Sequence, residues 1–344
     1  MSQAPNSPLS TLSRRGLLAA GGAAALGTLL GACGGKDGGD PAAAEGGAWT
    51  FTDDRGERVA LKAPPRRVVA YVGSAAALYD FGVTDRIVGV YGPAKRADGS
   101  RDPQVGEVPV DRLTIVGNAY GEFNIEKYAG LRPELLVDHV FVGKDLFYVP
   151  AESKEKIFAL APSLGISTGA VSLRRPIERY AALAAALGAD LNAPKITQAK
   201  ARFDKAAEEL RAAARARGGL KVLAASGSPD LFYASNPGKN TDLIFFKELG
   251  VELIVPDKVS KEGYFEELSW ENAGKYPADV ILLDSRTQAL QPKDLAAKPA
   301  WRDLPAVKAG QVVPWQPEPR FSYAGCAPIL EDLAKTVRTA KKAT

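Results

Sequence analysis

Apolar residues fall in short runs that alternate with helical patterns, and the same order of blocks occurs twice. Residues 67–74 read Arg-Val-Val-Ala-Tyr-Val-Gly-Ser and residues 221–228 read Lys-Val-Leu-Ala-Ala-Ser-Gly-Ser, each a short apolar strand ending in Gly-Ser. Leu78-Tyr79-Asp80-Phe81-Gly82-Val83 is then echoed by Phe246-Lys247-Glu248-Leu249-Gly250-Val251. Each predicts a helix closed by a Gly in the left-handed cap position, then a strand, at 87–90 and 253–255. In a third block, Asn124-Ile125-Glu126 opens a short helix ahead of Pro133 and the apolar run 135–138. Ser269-Trp270-Glu271 does the same ahead of Pro277 and the run 280–284. Asn124 and Ser269 are suited to cap a helix, and a Glu at the second helical position complements the helix dipole with its carboxylate exposed.

Three matched blocks in one order predict an α/β protein of two Rossmann-like lobes with parallel sheets covered on both faces. Between the repeats, Asn192 is placed to cap a helix, Pro194 sits in its first turn and Gly218 ends it, while Ile196, Phe203 and Leu210 recur every seven residues on one face. This predicts a single helix of about 24 residues, roughly 36 Å long at 1.5 Å per residue, a rod that resists large hinge motion. The expected organisation is a signal peptide at 1–32, a tether at 33–49, an N-terminal lobe at 50–191, the interlobe helix at 192–218 and a C-terminal lobe at 219–344. In open parallel sheets ligands sit beyond the carboxyl ends of strands, so facing lobes would enclose a cleft.

The first fifty residues follow a different pattern. Residues 16–35 carry no charge, follow Arg14-Arg15 and are interrupted by seven Gly, which suits an export signal better than a permanent anchor. Leu30-Gly31-Ala32-Cys33 resembles a bacterial lipobox, and Arg14-Arg15 with Leu17-Leu18 resembles a twin-arginine signal. Cleavage there would leave Cys33 to carry a diacylglycerol, anchoring an exported protein to the outer face of the cell membrane. The Gly-rich stretch that follows, without an apolar face, is a flexible tether.

Composition narrows the chemistry. The 344 residues carry 44 basic and 40 acidic side chains, and loss of Arg14 and Arg15 with the signal leaves 42 against 40. That balance disfavours a nucleic-acid surface. Two Cys, one His and one Met are too few for a four-thiolate zinc site or a transition-metal site of several His. With Cys33 acylated, Cys326 has no disulfide partner and is expected buried and inert. No Gly-x-Ser-x-Gly elbow and no Gly-x-Gly-x-x-Gly after a strand occurs, and Gly238-Lys239-Asn240-Thr241 lacks the preceding phosphate-loop Gly, Tyr233 standing in its place. His139 is the sole candidate base, without an evident nucleophile beside it. No catalytic residue, no cofactor and no protein ligand to a metal are expected. A metal handled here would arrive wrapped in an organic chelate.

Together these features resemble the substrate-binding lipoproteins of ABC importers for ferric siderophores and cobalamin. The residues that carry the likeness are the opening Phe51-Thr52-Asp53-Asp54-Arg55-Gly56-Glu57 with Pro64-Pro65-Arg66-Arg67-Val68-Val69-Ala70, then Asn124-Ile125-Glu126 with Arg132-Pro133-Glu134-Leu135-Leu136, and Ser269-Trp270-Glu271 with Ala278-Asp279-Val280-Ile281. The resemblance spans about residues 50–340. It implies two α/β lobes joined by a rigid helix, a monomer, and one glutamate on each lobe, Glu126 and Glu271, docking into the permease. Candidate ligand contacts are the aromatics and Arg of the predicted strand ends. They are Tyr91, Tyr120, His139, Phe141 and Tyr148 in the first lobe, and Phe232, Tyr233, Arg286, Trp315, Arg320 and Tyr323 in the second. Arg286 and Arg320, with Arg174-Arg175 nearby, are interspersed with acids such as Asp284 and Glu318. That lining suits a neutral or weakly cationic ferric hydroxamate better than a triply anionic catecholate. Cobalamin or haem in the same fold, an exported small-molecule enzyme using His139, and an adhesion or signalling lipoprotein stay open as alternatives.

Overall fold

The structure, a computed structural model, describes residues 47–344. The signal, nearly all of the tether and Cys33 lie outside them. Chain order in the first lobe is β1 (Trp49–Thr52), β2 (Arg58–Leu61), β3 (Val68–Tyr71), α1 (Val72–Asp80), β4 (Ile87–Tyr91), β5 (Thr114–Gly117), α2 (Ile125–Gly130), β6 (Leu135–Val140), α3 (Lys154–Phe158), β7 (Ser163–Ser167) and α4 (Arg174–Ala186). α5 (Pro194–Ala216) crosses to the second lobe, which runs β8 (Lys221–Gly227), β9 (Leu231–Ser235), α6 (Thr241–Glu248), β10 (Glu252–Leu253), β11 (Phe265–Ser269), β12 (Val280–Asp284), α7 (Pro292–Leu295), α8 (Pro299–Asp303), α9 (Pro305–Lys308), β13 (Val312–Trp315) and α10 (Tyr323–Thr339).

The first lobe holds a five-stranded, wholly parallel sheet in the order β5-β4-β3-β6-β7, with the β1-β2 hairpin beside it. Its central strands β3 and β6 are buried at every residue, as a sheet covered on both faces requires. The second sheet departs from the expected all-parallel form. Its order is β11-β9-β8-β12-β13 with β10 on β8, and β9 and β11 run antiparallel to their neighbours. The cause is local. Where the first lobe passes from β3 straight into α1, the second turns tightly at Ser228, whose backbone N–H donates to Leu231 O at 2.9 Å and whose Oγ accepts from Leu231 N at 3.1 Å. Gly73-Ser74 accordingly belongs to a helix, and its sequence echo Gly227-Ser228 to a hairpin.

The other echoes hold in part, the strand expected at 253–255 being only the two-residue β10 at Glu252–Leu253. Gly82 at φ 93° and Gly250 at φ 95° follow α1 and α6 in the left-handed region where a Cβ is disfavoured. Asn124 caps α2, accepting from Lys127 N at 2.8 Å. Ser269 precedes a 3-10 turn, Trp270–Lys275, but its Oγ accepts from the Asn272 side chain at 3.0 Å instead of capping backbone. Asn192 does not cap α5 either. Ala193 takes that position, and Pro194 supplies the preset first turn.

Alternation along the strands assembles two cores in the second lobe. Val222 and Ala224 of β8 and Val280 and Leu282 of β12 join a core that continues through α5 and α10 into the first lobe. Leu223, Ala225, Ile281 and Leu283 face the opposite way, onto Phe232, Trp270 and Trp301. Ile196, Phe203 and Leu210 bury the inner face of α5 as their spacing predicts. α10 lies along α5, held at its rim by Arg202, which donates to both Glu331 oxygens at 2.7 and 2.6 Å. Cys326 of α10 is buried with a free thiol that donates to Arg320 O at 3.1 Å, and burial raises its pKa. Among the described residues no helix is long and apolar enough to cross a membrane.

Candidate functional site

The carboxyl ends of the strands of both lobes meet across a cleft of about 480 Å³. Phe141, Val142 and Phe147 line it from the first lobe; Tyr233, Tyr264, Phe265 and Trp315 form its aromatic wall from the second. The lobes are tied directly at its edge. Tyr264 OH donates to Phe141 O at 3.0 Å, and Ala170 N donates to Lys239 O at 2.8 Å. Behind it, Ser322 Oγ donates to Asp80 Oδ2 at 2.5 Å.

A charged cluster forms the floor. Arg286 donates from Nη2 to Asp284 Oδ2 at 2.7 Å and from Nη1 to Glu318 Oε1 at 2.7 Å. The other oxygen of Glu318 accepts from the first lobe, from Tyr71 OH at 2.9 Å and Tyr148 OH at 3.1 Å. Burial, and then the Glu318 charge, push both phenols well up, so they serve as donors throughout the physiological range. One guanidinium thus faces two carboxylates, both nearly inaccessible, and the floor carries a net negative charge.

Two more buried carboxylates set the walls. Asp138, within β6, accepts from its neighbour His139 N at 2.7 Å and from Tyr148 N at 3.1 Å, fixing the Tyr148 loop. Asp242 at the start of α6 accepts from Trp315 Nε1 at 2.5 Å, which orients the indole against the cleft. Burial pushes each carboxyl up to about 7.

Of the residues singled out from sequence, Phe141, Tyr233, Arg286 and Trp315 line the cleft, and Tyr120 and Tyr148 line an adjoining cavity. Arg320 lines a small cavity of about 140 Å³ on the far side of Arg286, lies against Gly106, and has Asp80 at 3.7 Å. Four others are not at the cleft surface. Tyr91 is wholly buried, its ring edge-on to Phe123 at 5.1 Å. Phe232 points away from the cleft because it alternates with Tyr233 on β9, and it packs on Trp270. Tyr323 packs on Phe81 and Phe203 between α1, α5 and α10. His139 is wholly buried among Tyr71, Phe141, Tyr180 and Phe321, with both ring nitrogens unpartnered. Burial depresses its pKa to about 3, so it is a neutral core ring and neither a base nor an accessible ligand for haem. Arg174 and Arg175 are engaged elsewhere, by Asp204 at 3.0 Å and Asp54 at 3.1 Å. Glu126 and Glu271 are both exposed, each second in its helical turn.

Tyr71, Phe147, Tyr264 and Asp242 enter the site unannounced by any motif. An aromatic beside a predicted strand end was the available signal for Tyr71 and Phe147, whereas Tyr264 lies in a loop of no regular pattern.

Comparison with known proteins places this geometry among relatives. The model of a family described as periplasmic binding protein matches residues 68–319. The crystal structure of DesE, a ferric-siderophore receptor protein from Streptomyces coelicolor, is similar with a TM-score of 0.82 and 49% identity, covering 86% of this chain and 99% of that one. The triscatecholate siderophore-binding protein FeuA from Bacillus subtilis, complexed with ferri-bacillibactin, shares the fold at a TM-score of 0.60 and 17% identity, covering 84% of this chain and 97% of that one. Among curated proteins, the Fe(3+)-citrate-binding protein YfmC of Bacillus subtilis (strain 168) is 21% identical over 263 residues, 76% of each chain.

Proposed function

Because this chain belongs to the periplasmic binding protein family, a family of substrate-binding proteins rather than enzymes, we propose that it captures a ferric siderophore and presents it to an ABC permease. The observation that carries the reading is the interlobe cleft, aromatic-walled and of a size typical for small organic ligands. Its 49% identity to a ferric-siderophore receptor over 86% of the chain supports the same ligand class. Aromatic faces and a few fixed polar groups grip the organic outside of a chelate by shape and stacking, leaving iron to the chelator.

The charge of the floor favours the hydroxamate class. A ferric tris-catecholate carries three negative charges and would meet a guanidinium already matched by Asp284 and Glu318. Seating it there would place anions against buried carboxylates, a cost that a neutral or cationic hydroxamate complex avoids. Titration of intrinsic tryptophan fluorescence, with Trp315 on the cleft, tests this. A ferric trihydroxamate is expected to quench saturably and to bind at least tenfold more tightly than a ferric tris-catecholate, and the reverse order would overturn the hydroxamate assignment.

Two outer features complete the proposal. Cys33, carrying a lipid, would hold the exported protein on the outer face of the membrane. Glu126 and Glu271, exposed on separate lobes, would register it on a two-fold permease through charge-assisted hydrogen bonds.

A further inference from the structure

A second cavity of about 510 Å³ adjoins the cleft along Val142, Phe147 and Glu262, which line both. Apart from Glu262, its walls come from the first lobe. Each cavity alone falls in the range of small-molecule sites, roughly 300–1,000 Å³, so the second has room for a ligand portion of its own beside one seated in the cleft.

The lining differs from that of the cleft floor. Tyr120 is 68% exposed, Val142 55% and Phe147 41%, which is three of the six large apolar side chains left exposed among the described residues. Scattered exposed apolar residues need no explanation, but three gathered on one concavity mark a contact surface. Tyr120 packs against Phe147 at 5.3 Å and Tyr148 at 5.8 Å between ring centroids, making one continuous aromatic face. The charges beside it are acidic: Asp145, Glu152 and Glu262 against a single base, Lys154. Lys154 is itself bound to Asp145 at 2.5 Å. Glu152 and Glu262 have no ion-pair partner among the described residues. An apolar aromatic face rimmed by unmatched carboxylates is complementary to an alkyl chain ending in a protonated amine, which it can meet by ring-face contact and ion pairing. It repels an anionic terminus.

We propose, resting on the siderophore reading above, that this cavity is a second ligand subsite. It receives the arm of the chelator that does not touch iron, an alkyl chain with a cationic end, and Glu262 discriminates the charge of that end.

The test uses four ferric trihydroxamates with one iron-binding core: no arm, an amine-terminated arm, its N-acetylated form and its succinylated form. Each is titrated by fluorescence quenching into the wild-type protein, Glu262→Gln and Tyr120→Ala. The amine-terminated ligand should bind about tenfold more tightly than the succinylated one, with the acetylated one between, and Glu262→Gln should narrow that ratio to about twofold. Tyr120→Ala should weaken the armed ligands several-fold more than the armless one, and an equal loss for all four would overturn the subsite. Binding of the armless core with equal affinities for all three armed ligands would overturn the subsite alone. Failure of every chelate, including the armless core, to quench would overturn the siderophore reading and the subsite with it.

Discussion

His139 offers a sharp test of how the first lobe is built. It is wholly buried, both ring nitrogens lack partners, and its pKa is held at about 3 by burial, against 6.5 for a free imidazole. The unfolded chain therefore takes up a proton below pH 6.5 that the folded protein refuses, so His139 removes stability as pH falls from 7 towards 3. Integrating between pH 7 and pH 5 with those two values gives a loss of about 2 kcal/mol. Asp138 and Asp242 act in the opposite sense. Their folded pKa is raised to about 7, so the folded protein keeps protons that the unfolded chain releases, and the stability they contribute grows as pH falls from 7 towards 4. His139→Phe removes only the first effect. The steric cost of the larger ring is independent of pH and cancels when the variant is compared with the wild type at two pH values. In urea titrations followed by circular dichroism, the stability of His139→Phe relative to wild type should rise by about 2 kcal/mol between pH 7 and pH 5, with ligand affinity unchanged at pH 7. Parallel pH profiles would refute the claim that the ring is buried and neutral, and loss of binding would refute its placement away from the cleft.

Other consequences follow from the same contacts. Glu318→Ala strips an acceptor from Tyr71, Tyr148 and Arg286 while Arg286 keeps Asp284, and should cost about 3 kcal/mol in urea unfolding at pH 7, a loss below 1 kcal/mol contradicting a load on that carboxylate. A Cβ at Gly169 would sit 2.1 Å from Phe141 O and 2.5 Å from Tyr264 OH, so Gly169→Ala should break the tie between the lobes, destabilise by about 2 kcal/mol and weaken ligand binding; wild-type affinity would show that this edge does not set the cleft. Joint replacement of Glu126 and Glu271 by Ala should preserve ligand affinity and abolish uptake in cells lacking the native copy, and normal uptake would reject their docking role.

Much of the architecture was legible because it is encoded locally. Apolar runs, the caps at Gly82, Gly250 and Asn124, and the seven-residue recurrence on α5 all reflect contacts within a few residues or one face of one element. The antiparallel β9 was not legible. Gly-Ser ends two apolar runs with the same letters, and only the turn at Ser228, against the helix begun at Val72, distinguishes a hairpin from a crossover.

The site divides in the same way. Composition indicated only that the protein itself would supply no ligands to a metal, the residues at the predicted strand ends pointed to a cleft of aromatics with mixed charge, and proximity in sequence placed Asp284 beside Arg286. Which aromatics reach the cleft was decided by packing. Parity on β9 turns Tyr233 out and Phe232 in, and enclosure by rings from α4 and the segment before α10 converts His139 from candidate chemistry into core. The partnership of Glu318 with Tyr71 joins residues 247 positions apart. A chain written one residue at a time determines its own periodicities and local turns, but long-range encounters of this kind depend on the free energy of the whole folded packing, and only tertiary structure decides them.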